Sequence, residues 1–276
     1  MPRKTLIVQS YRREDVPGWI ARCLDSVRGW AELKRYDYRL TGDEAFELCG
    51  EEYLAQVSRA DVRAITNLCR LELVRNAFAE GYQRAVWLDA DMFVFDPANF
   101  DVRGADRYAF ARETWIGVRN GRLAATSSIN NSAFVCNGPQ PDLDFLIDAI
   151  RHIARHRRIF SNYQVGGDLI KGLARSMAFQ ALPNVGMFSP ITVTALADGD
   201  ESVLRAQASF HGTPVRAANL CATERYSNTP DQPVTLRAMD RLEETRGRVL
   251  NDWLDEGPSP DMLHFSETRY LDEAAV

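Results

Sequence analysis

Short apolar runs alternate along the chain with longer stretches whose apolar residues recur at helical spacing. The run TLIVQS (residues 5–10) is rich in β-forming residues and reads as a first, buried strand. Pro17 then stands just inside a predicted helix with apolar positions Trp19, Ile20, Cys23, Leu24 and Val27. YDYRL (36–40) alternates and predicts a second strand, and the acids at 43, 44 and 47 suggest a helix start. Residues 61–80 carry a broad apolar face (Ile65, Leu68, Cys69, Leu71, Leu73, Val74, Phe78) that Gly81 ends. Residues 85–88 form a strand running into WLDADMFVFDP (87–97). Beyond Pro97 the pattern is less regular. Strands are expected at 108–112 and 132–136, with the polar run SSINNS leading into the second. Helices are expected at 141–160, with acids first and bases last, at 166–177 and at 236–254. Asn137-Gly138 reads as a turn, the pattern weakens from Pro190, and 216–276 is expected to be mostly loop and short helices.

This strand–helix alternation predicts an α/β fold: a single domain with a mostly parallel central sheet flanked by helices. Residues 1–215 would form its body, and 216–276 an extension packed on it or completing it. Composition fits a globular chain, with 45% hydrophobic and 26% charged residues among 276. A net charge of −5 argues against nucleic-acid partners. No run suits a membrane span or a secretion signal, so a cytoplasmic location is expected, with peripheral membrane contact left open. The scattered cysteines (23, 49, 69, 136, 221) form no disulfide framework or zinc pattern. Lysine occurs only at 4, 34 and 171, so any phosphate clamp would be built from arginine.

The acids at the end of the 85–88 strand carry the sharpest chemistry. Asp89 and Asp91 flank Ala90, and in a regular strand they would share one face. Paired carboxylates suit Mg²⁺ or Mn²⁺, with substrate phosphates completing the shell. Asp96, before Pro97, reads as turn chemistry. In open α/β sheets ligands sit beyond the carboxyl ends of strands, where Gln9, Ser10 and Tyr11 also fall.

RAVWLDADMFVFDPANF, with NLCRLELVRNAFAEG upstream, resembles the GT-A-fold glycosyltransferases that carry a two-aspartate motif. The likeness is to retaining transferases related to glycogenin and the lipopolysaccharide galactosyltransferases. PGWIARCLDSVRGW followed by YDYRLTGDE is similar to short sugar transferases that include α-mannosyltransferases. The resemblance spans roughly residues 4–185 and implies a Rossmann-like nucleotide-diphospho-sugar transferase. Its donor would be a UDP- or GDP-sugar, and its acceptor a carbohydrate or lipid-linked glycan of the kind used in polysaccharide biosynthesis. The metal would be Mn²⁺ or Mg²⁺, and anomeric configuration would be retained.

By motif, the resemblance implies that Asp89 and Asp91 bind the metal and the diphosphate, with Ala90 between them. It further implies that Arg70 contacts the nucleotide sugar and that Gln9, Ser10 and Tyr11 line the base pocket. Asn131 (beside Asn130) and Asp168 would be catalytic-site residues near the sugar. Asn67 departs from the aspartate that the mannosyltransferase-like group tends to carry there. A late histidine is expected as a further metal ligand, His211 in SFHGTPVR ahead of His264 in MLHFSETRY. Asp168 also reads as a helix N-cap, and His152 with His156 as part of a solvated basic face. Two rivals stand beside this reading. A haloacid-dehalogenase-like phosphatase also uses strand-Asp-x-Asp, but needs a downstream lysine, for which only Lys171 is present. A non-catalytic sugar- or nucleotide-binding relative is the other.

Overall fold

The first strand, β1 (Thr5–Ser10), is buried on both faces, which explains why its sequence shows no polar alternation. It is followed in chain order by α1 (Gly18–Lys34), β2 (Asp37–Thr41), α2 (Glu51–Val57), α3 (Val62–Ala79), β3 (Arg84–Leu88) and β4 (Met92–Val94). Then come β5 (Tyr108–Arg119), β6 (Arg122–Cys136), α4 (Pro141–His156), α5 (Gly167–Ala174), β7 (Gln180–Leu182) and β8 (Val185–Met187). The chain continues with α6 (Pro190–Asp198), α7 (Glu201–His211), β9 (Ala217–Asn219), α8 (Gln232–Thr245), α9 (Arg248–Asn251) and β10 (Leu263–Ser266). The structure is a computed structural model that describes residues 3–57, 62–103, 107–156, 162–177, 179–221, 230–257 and 262–266. Asp61, the expected helix tail at 157–160, and 222–229, 258–261 and 267–276 of the expected extension lie outside them.

The large sheet runs β2-β1-β3-β6-β5-β7, with β10 beside β6. Pairings β1–β2, β1–β3, β5–β7 and β6–β10 are parallel, and only β6 runs against its neighbours β3 and β5. The expected α/β architecture, a mostly parallel central sheet flanked by helices, is the one observed. Successive residues of β1 and β3 serve opposite faces. Leu6, Val8, Ala85 and Trp87 join the core that contains Leu68, Cys69 and Val74 of α3. Ile7, Val86 and Leu88 join Val27 and Trp30 of α1. A small sheet, β4-β9-β8, lies under α6, α7 and α8 in a third core. Among the described residues no helix is long and apolar enough to cross a membrane.

Three expectations are corrected. The irregular stretch after Pro97 is a long hairpin, β5–β6. Its two-residue turn puts Asn120 at φ 52° and Gly121 at φ 71°, the conformation that Asn-Gly favours between strands. SSINNS lies inside β6 and does not lead into it. The stretch from Pro190, where the pattern weakens and no element was assigned, holds two helices, α6 and α7. α6 buries Pro190, Thr192, Val193, Ala195 and Leu196, so it shows no single apolar stripe. The helix expected over 236–254 is two, α8 and α9, because Arg246 (φ 51°) and Gly247 (φ 76°) leave helical geometry between them.

The hairpin turn yields a stability prediction. A methyl at Gly121 meets no atom within 4 Å, so any cost comes from its φ of +71° alone. Gly121→Ala should therefore lower stability by about 1 kcal/mol, read from the midpoint shift in urea unfolding, while Gly172→Ala in α5, equally open but helical, should not.

Candidate active site

The order of the large sheet fixes where a ligand has room. The chain passes from β1 outward to β2, then crosses to the other side of β1 to make β3. The strand order therefore reverses between β1 and β3, and a crevice opens beyond their carboxyl ends at such a point. The acidic turn sits there. Asp89 does not continue the strand, because Met92 N donates to Asp89 O at 3.0 Å and closes a tight turn through Ala90 and Asp91. The expected same-face display of the two carboxylates on an extended strand is thus replaced by a turn that sends them to different partners.

Asp89 is anchored through its N–H, its carbonyl and one carboxylate oxygen. Its N–H donates to Ser132 O at 2.7 Å, and its carbonyl accepts from Gln9 Nε2 at 3.0 Å. Its Oδ1 accepts from Trp87 Nε1 at 2.7 Å and meets Arg70 Nη1 at 3.1 Å. Burial pushes this carboxyl upward in pKa, against the pull of Arg70 and of the indole N–H. Arg70 is itself 6% exposed. It also donates to Asn131 O at 2.6 Å and Thr66 O at 3.3 Å, and its guanidinium lies 5.2 Å from the centre of the Trp87 ring.

Asp91 is held from the other sheet. Asn219 Nδ2, at the end of β9, donates to Asp91 Oδ1 at 2.5 Å, and Leu220 N donates to Asp91 O at 3.0 Å. Asn219 Oδ1 accepts from Cys221 N at 2.8 Å, and Cys221 adopts φ 55°, a left-handed backbone that a non-glycine residue seldom takes. Sequence reading missed Asn219. Its only local signal is an asparagine before a strained turn, 128 residues from its partner.

The β5–β6 pairing jumps at this point: Phe110 faces Phe134 but Ala111 faces Asn130. The extra residues of β6 form a bulge that turns Asn131 and Ser132 toward the acidic turn. Asn131 Nδ2 donates to Asn67 Oδ1 at 3.1 Å, and Asn67 presses on Gly166, where a Cβ would stand 2.4 Å from Asn67 Nδ2. The glycine preceding α5 is therefore needed for close approach. Ser132 Oγ is buried with no hydrogen-bond partner among the described residues, an unsatisfied group that calls for a water or a ligand.

Of the other expected positions, Ser10 and Tyr11 lie half-buried at the carboxyl end of β1, where Tyr11 N donates to Thr41 O at 3.0 Å. Ala90 is half-buried in the turn. Asp168 is exposed in the first turn of α5; the residue that precedes the helix is Gly166, which corrects the N-cap reading. Gln9 is 0% exposed, its amide spent on Asp89 O and on the Tyr38 hydroxyl at 3.0 Å. Its expected place in a base pocket is corrected to a buried brace.

His211 is likewise corrected. It ends α7 fully buried, with Nε2 donating to Pro183 O at 2.9 Å and Nδ1 3.3 Å from Thr114 Oγ1. A carbonyl only accepts, so Nε2 carries the proton, and both nitrogens are engaged within the core. Burial, reinforced by the charge of Arg112, pulls its pKa down to about 4. His264 sits on β10 with Nε2 3.2 Å from Ser127 Oγ, its ring stacked on Phe210. Asp96 does make a turn, and it is also buried against Arg216 Nη1 at 2.6 Å. Among the described residues no three His, Cys, Asp or Glu side chains group as a closed metal cage.

No family model matches the chain, and no curated protein matches it. Three similar solved structures are a glycosyltransferase involved in glycosylation of the major capsid of PBCV-1, mouse xyloside xylosyltransferase 1, and the glycosyltransferase GlyE of Streptococcus pneumoniae TIGR4. The first is 12% identical with a TM-score of 0.44, covering 86% of this chain and 98% of that one. The second is 13% identical at 0.42, covering 83% and 99%. The third is 12% identical at 0.39, covering 94% and 66%. At these TM-scores the likenesses carry no argument about the site, which stands on its own geometry.

Two predictions follow from the packing. Gly166→Ala should disturb the Asn67–Asn131 contact and destabilise the chain by about 1–3 kcal/mol, and adding Asn67→Ala should recover part of that loss; additive losses in a thermal unfolding cycle would refute the contact. His211 stays neutral when folded, whereas the unfolded chain protonates it near its ordinary 6.5. Between those values the unfolded state binds the extra proton, so stability is intact above pH 6.5 and falls as pH drops toward 4, by up to about 1.4 kcal/mol per pH unit. His211→Gln should flatten that part of the curve in urea titrations run from pH 7 to 4.

Proposed function

We propose that the chain is a glycosyltransferase that takes its sugar from a nucleoside-diphosphate donor bound at the acidic turn. The observation that supports it most is the placement of Asp89 and Asp91. They stand on one tight turn at the sheet's switch point, each braced by its own partner, Arg70 and Asn219. Preorganised carboxylate oxygens at such a crevice suit a divalent cation that carries a phosphate-bearing ligand. The Asp-x-Asp resemblance points the same way.

The donor set fits Mg²⁺ or Mn²⁺. Two carboxylates with no third acid or imidazole grouped beside them among the described residues make an open site of hard oxygens, the kind these ions share with substrate phosphates and water. Asp89 and Asp91 would hold the ion, which when bound offsets the charge of the departing diphosphate.

The chain's own residues do the rest by positioning. Arg70 is spent on Asp89 and the bulge, so in this reading it sets the geometry of the carboxylate and does not reach the donor. Gln9 fixes the turn from below. The orphaned Ser132 hydroxyl beside the turn offers one polar contact to the ligand or its water. In this reading Ser10 and Tyr11, at the carboxyl end of β1, would line the base pocket, and Asn131 with Asp168 would lie near the sugar. The donor is a UDP- or GDP-sugar, the acceptor a carbohydrate or lipid-linked glycan, and transfer retains configuration. The phosphatase reading lacks its lysine, since Lys171 pairs with Glu113 at 3.2 Å.

Thermal shift tests this directly. Mn²⁺ with UDP or GDP at 100 times Kd should add about 2.7 kcal/mol, a rise of several degrees, while Mn²⁺ alone should do little because the protein supplies only two ligands. Asp91→Ala should abolish the joint shift. An absent shift with every diphosphate, or an equal one in Asp91→Ala, would reject the proposal. Slow hydrolysis of UDP- or GDP-sugars, seen as released sugar by chromatography, separates an enzyme from a binding relative.

A further inference from the structure

Glu113 is a buried carboxylate that touches neither acid of the turn. It lies on β5 opposite Ser128, with its side chain 8% exposed. Burying a charge costs several kcal/mol unless it is paired and hydrogen-bonded, so its partners matter. Oε1 accepts from Lys171 Nζ of α5 at 3.2 Å, and Oε2 accepts from Asn130 Nδ2 at 2.6 Å. Asn130 Oδ1 in turn accepts from Ser132 N at 2.7 Å.

The order of these bonds is forced by chemistry. An ionised carboxylate can only accept, so Asn130 must present its NH₂ to Glu113 and its carbonyl oxygen to Ser132 N. That second bond satisfies a backbone amide that the bulge takes out of the β5 ladder. The same bulge supplies Asn131 O to Arg70 and Ser132 O to Asp89 N. A continuous set of bonds therefore runs from Lys171 through Glu113 and Asn130 to the carboxylate at the mouth of the crevice. A glutamine at 113 would break the logic. It can offer NH₂ in place of an acceptor, which frees Asn130 to flip and to set its own NH₂ against Ser132 N.

We propose that Glu113 is a positioning residue for the transfer reaction: an acceptor-only group, held by Lys171, that locks the Asn130 amide and through it the bulge carrying Arg70 and Asp89. The consequence for ligand binding rests on the glycosyl-transfer reading, whereas the structural link does not.

The test uses a reporter that needs no ligand. Trp87 Nε1 donates to Asp89 Oδ1, so the fluorine resonance of 5-fluorotryptophan at Trp87, assigned with Trp87→Phe, senses the position of that carboxylate. Glu113→Gln and Lys171→Met should both move it, Lys171→Arg should restore it, and Glu80→Gln, which breaks an ion pair with Arg39 elsewhere, should leave it in place. Titration calorimetry of Mn²⁺ with UDP or GDP should then show about tenfold or greater weakening in the first two variants and near-native affinity in Lys171→Arg. Should Glu113→Gln fail to fold, Lys171→Met carries the comparison, because its position on α5 is 23% exposed. An unmoved resonance in folded variants overturns the inference, and so does a moved resonance with unchanged affinity. Wild-type protein that binds no metal–diphosphate overturns the functional reading instead, and the positioning link is then decided by the resonance alone.

Discussion

A guanidinium held at 6% exposure, on Arg70, is the constraint around which the rest of the site is arranged. Desolvating a charge costs several kcal/mol, and the cost is met only when good geometry accounts for each donor. Arg70 meets it with a carboxylate, two backbone carbonyls and an indole face. The four partners come from three pieces of chain: α3 itself, β3 with its end, and the bulge of β6. By contrast, the pairs Arg13–Glu44 and Arg103–Asp101 lie largely in solvent, where such bridges contribute roughly 0–1 kcal/mol. The chain carries many ion pairs, but this one ties tertiary structure to the acidic turn.

The turn also shows how precision is distributed. Asp89 is fixed by side chains and backbone of the large sheet, and Asp91 by the small one. Neither arrangement relies on loop stiffness. Gln9, Asn219 and Asn130 are all amides with a donor on one side and an acceptor on the other, so each can join two groups only in one orientation. Buried networks of this kind are costly when incomplete and specific when complete.

Much of this was legible in the sequence. β1, α1, α3 and β3 stood out because each is either an unbroken apolar run or a clear helical stripe, and the Asp-x-Asp marked the strand end. Of the partners of the acids, Arg70 was marked by its motif, although as a donor contact, whereas Asn219 was not legible, and neither was Glu113. Glu113 and Asn219 look like ordinary polar residues, and only the bulge and the return of β9 bring them near. The hairpin was missed although Asn120-Gly121 is a strong turn signal, because Ser127, Ser128 and Ser132 are buried in β6 against the usual apolar pattern. His211 misled for the opposite reason. Its motif looked like a ligand, but α7 packs it into a core where its hydrogen bonds are already made.

One consequence concerns how the two sheets sit on each other. Asp89 belongs to the seven-stranded sheet through Ser132 and Gln9, with Arg70 of α3 behind it, and Asp91 belongs to the three-stranded sheet through Asn219 and Leu220. Only Ala90 separates them. The gap between the carboxylates is thus a caliper across the joint of the two sheets, and a slip of β9 along β4 is felt at the site as a change in bite.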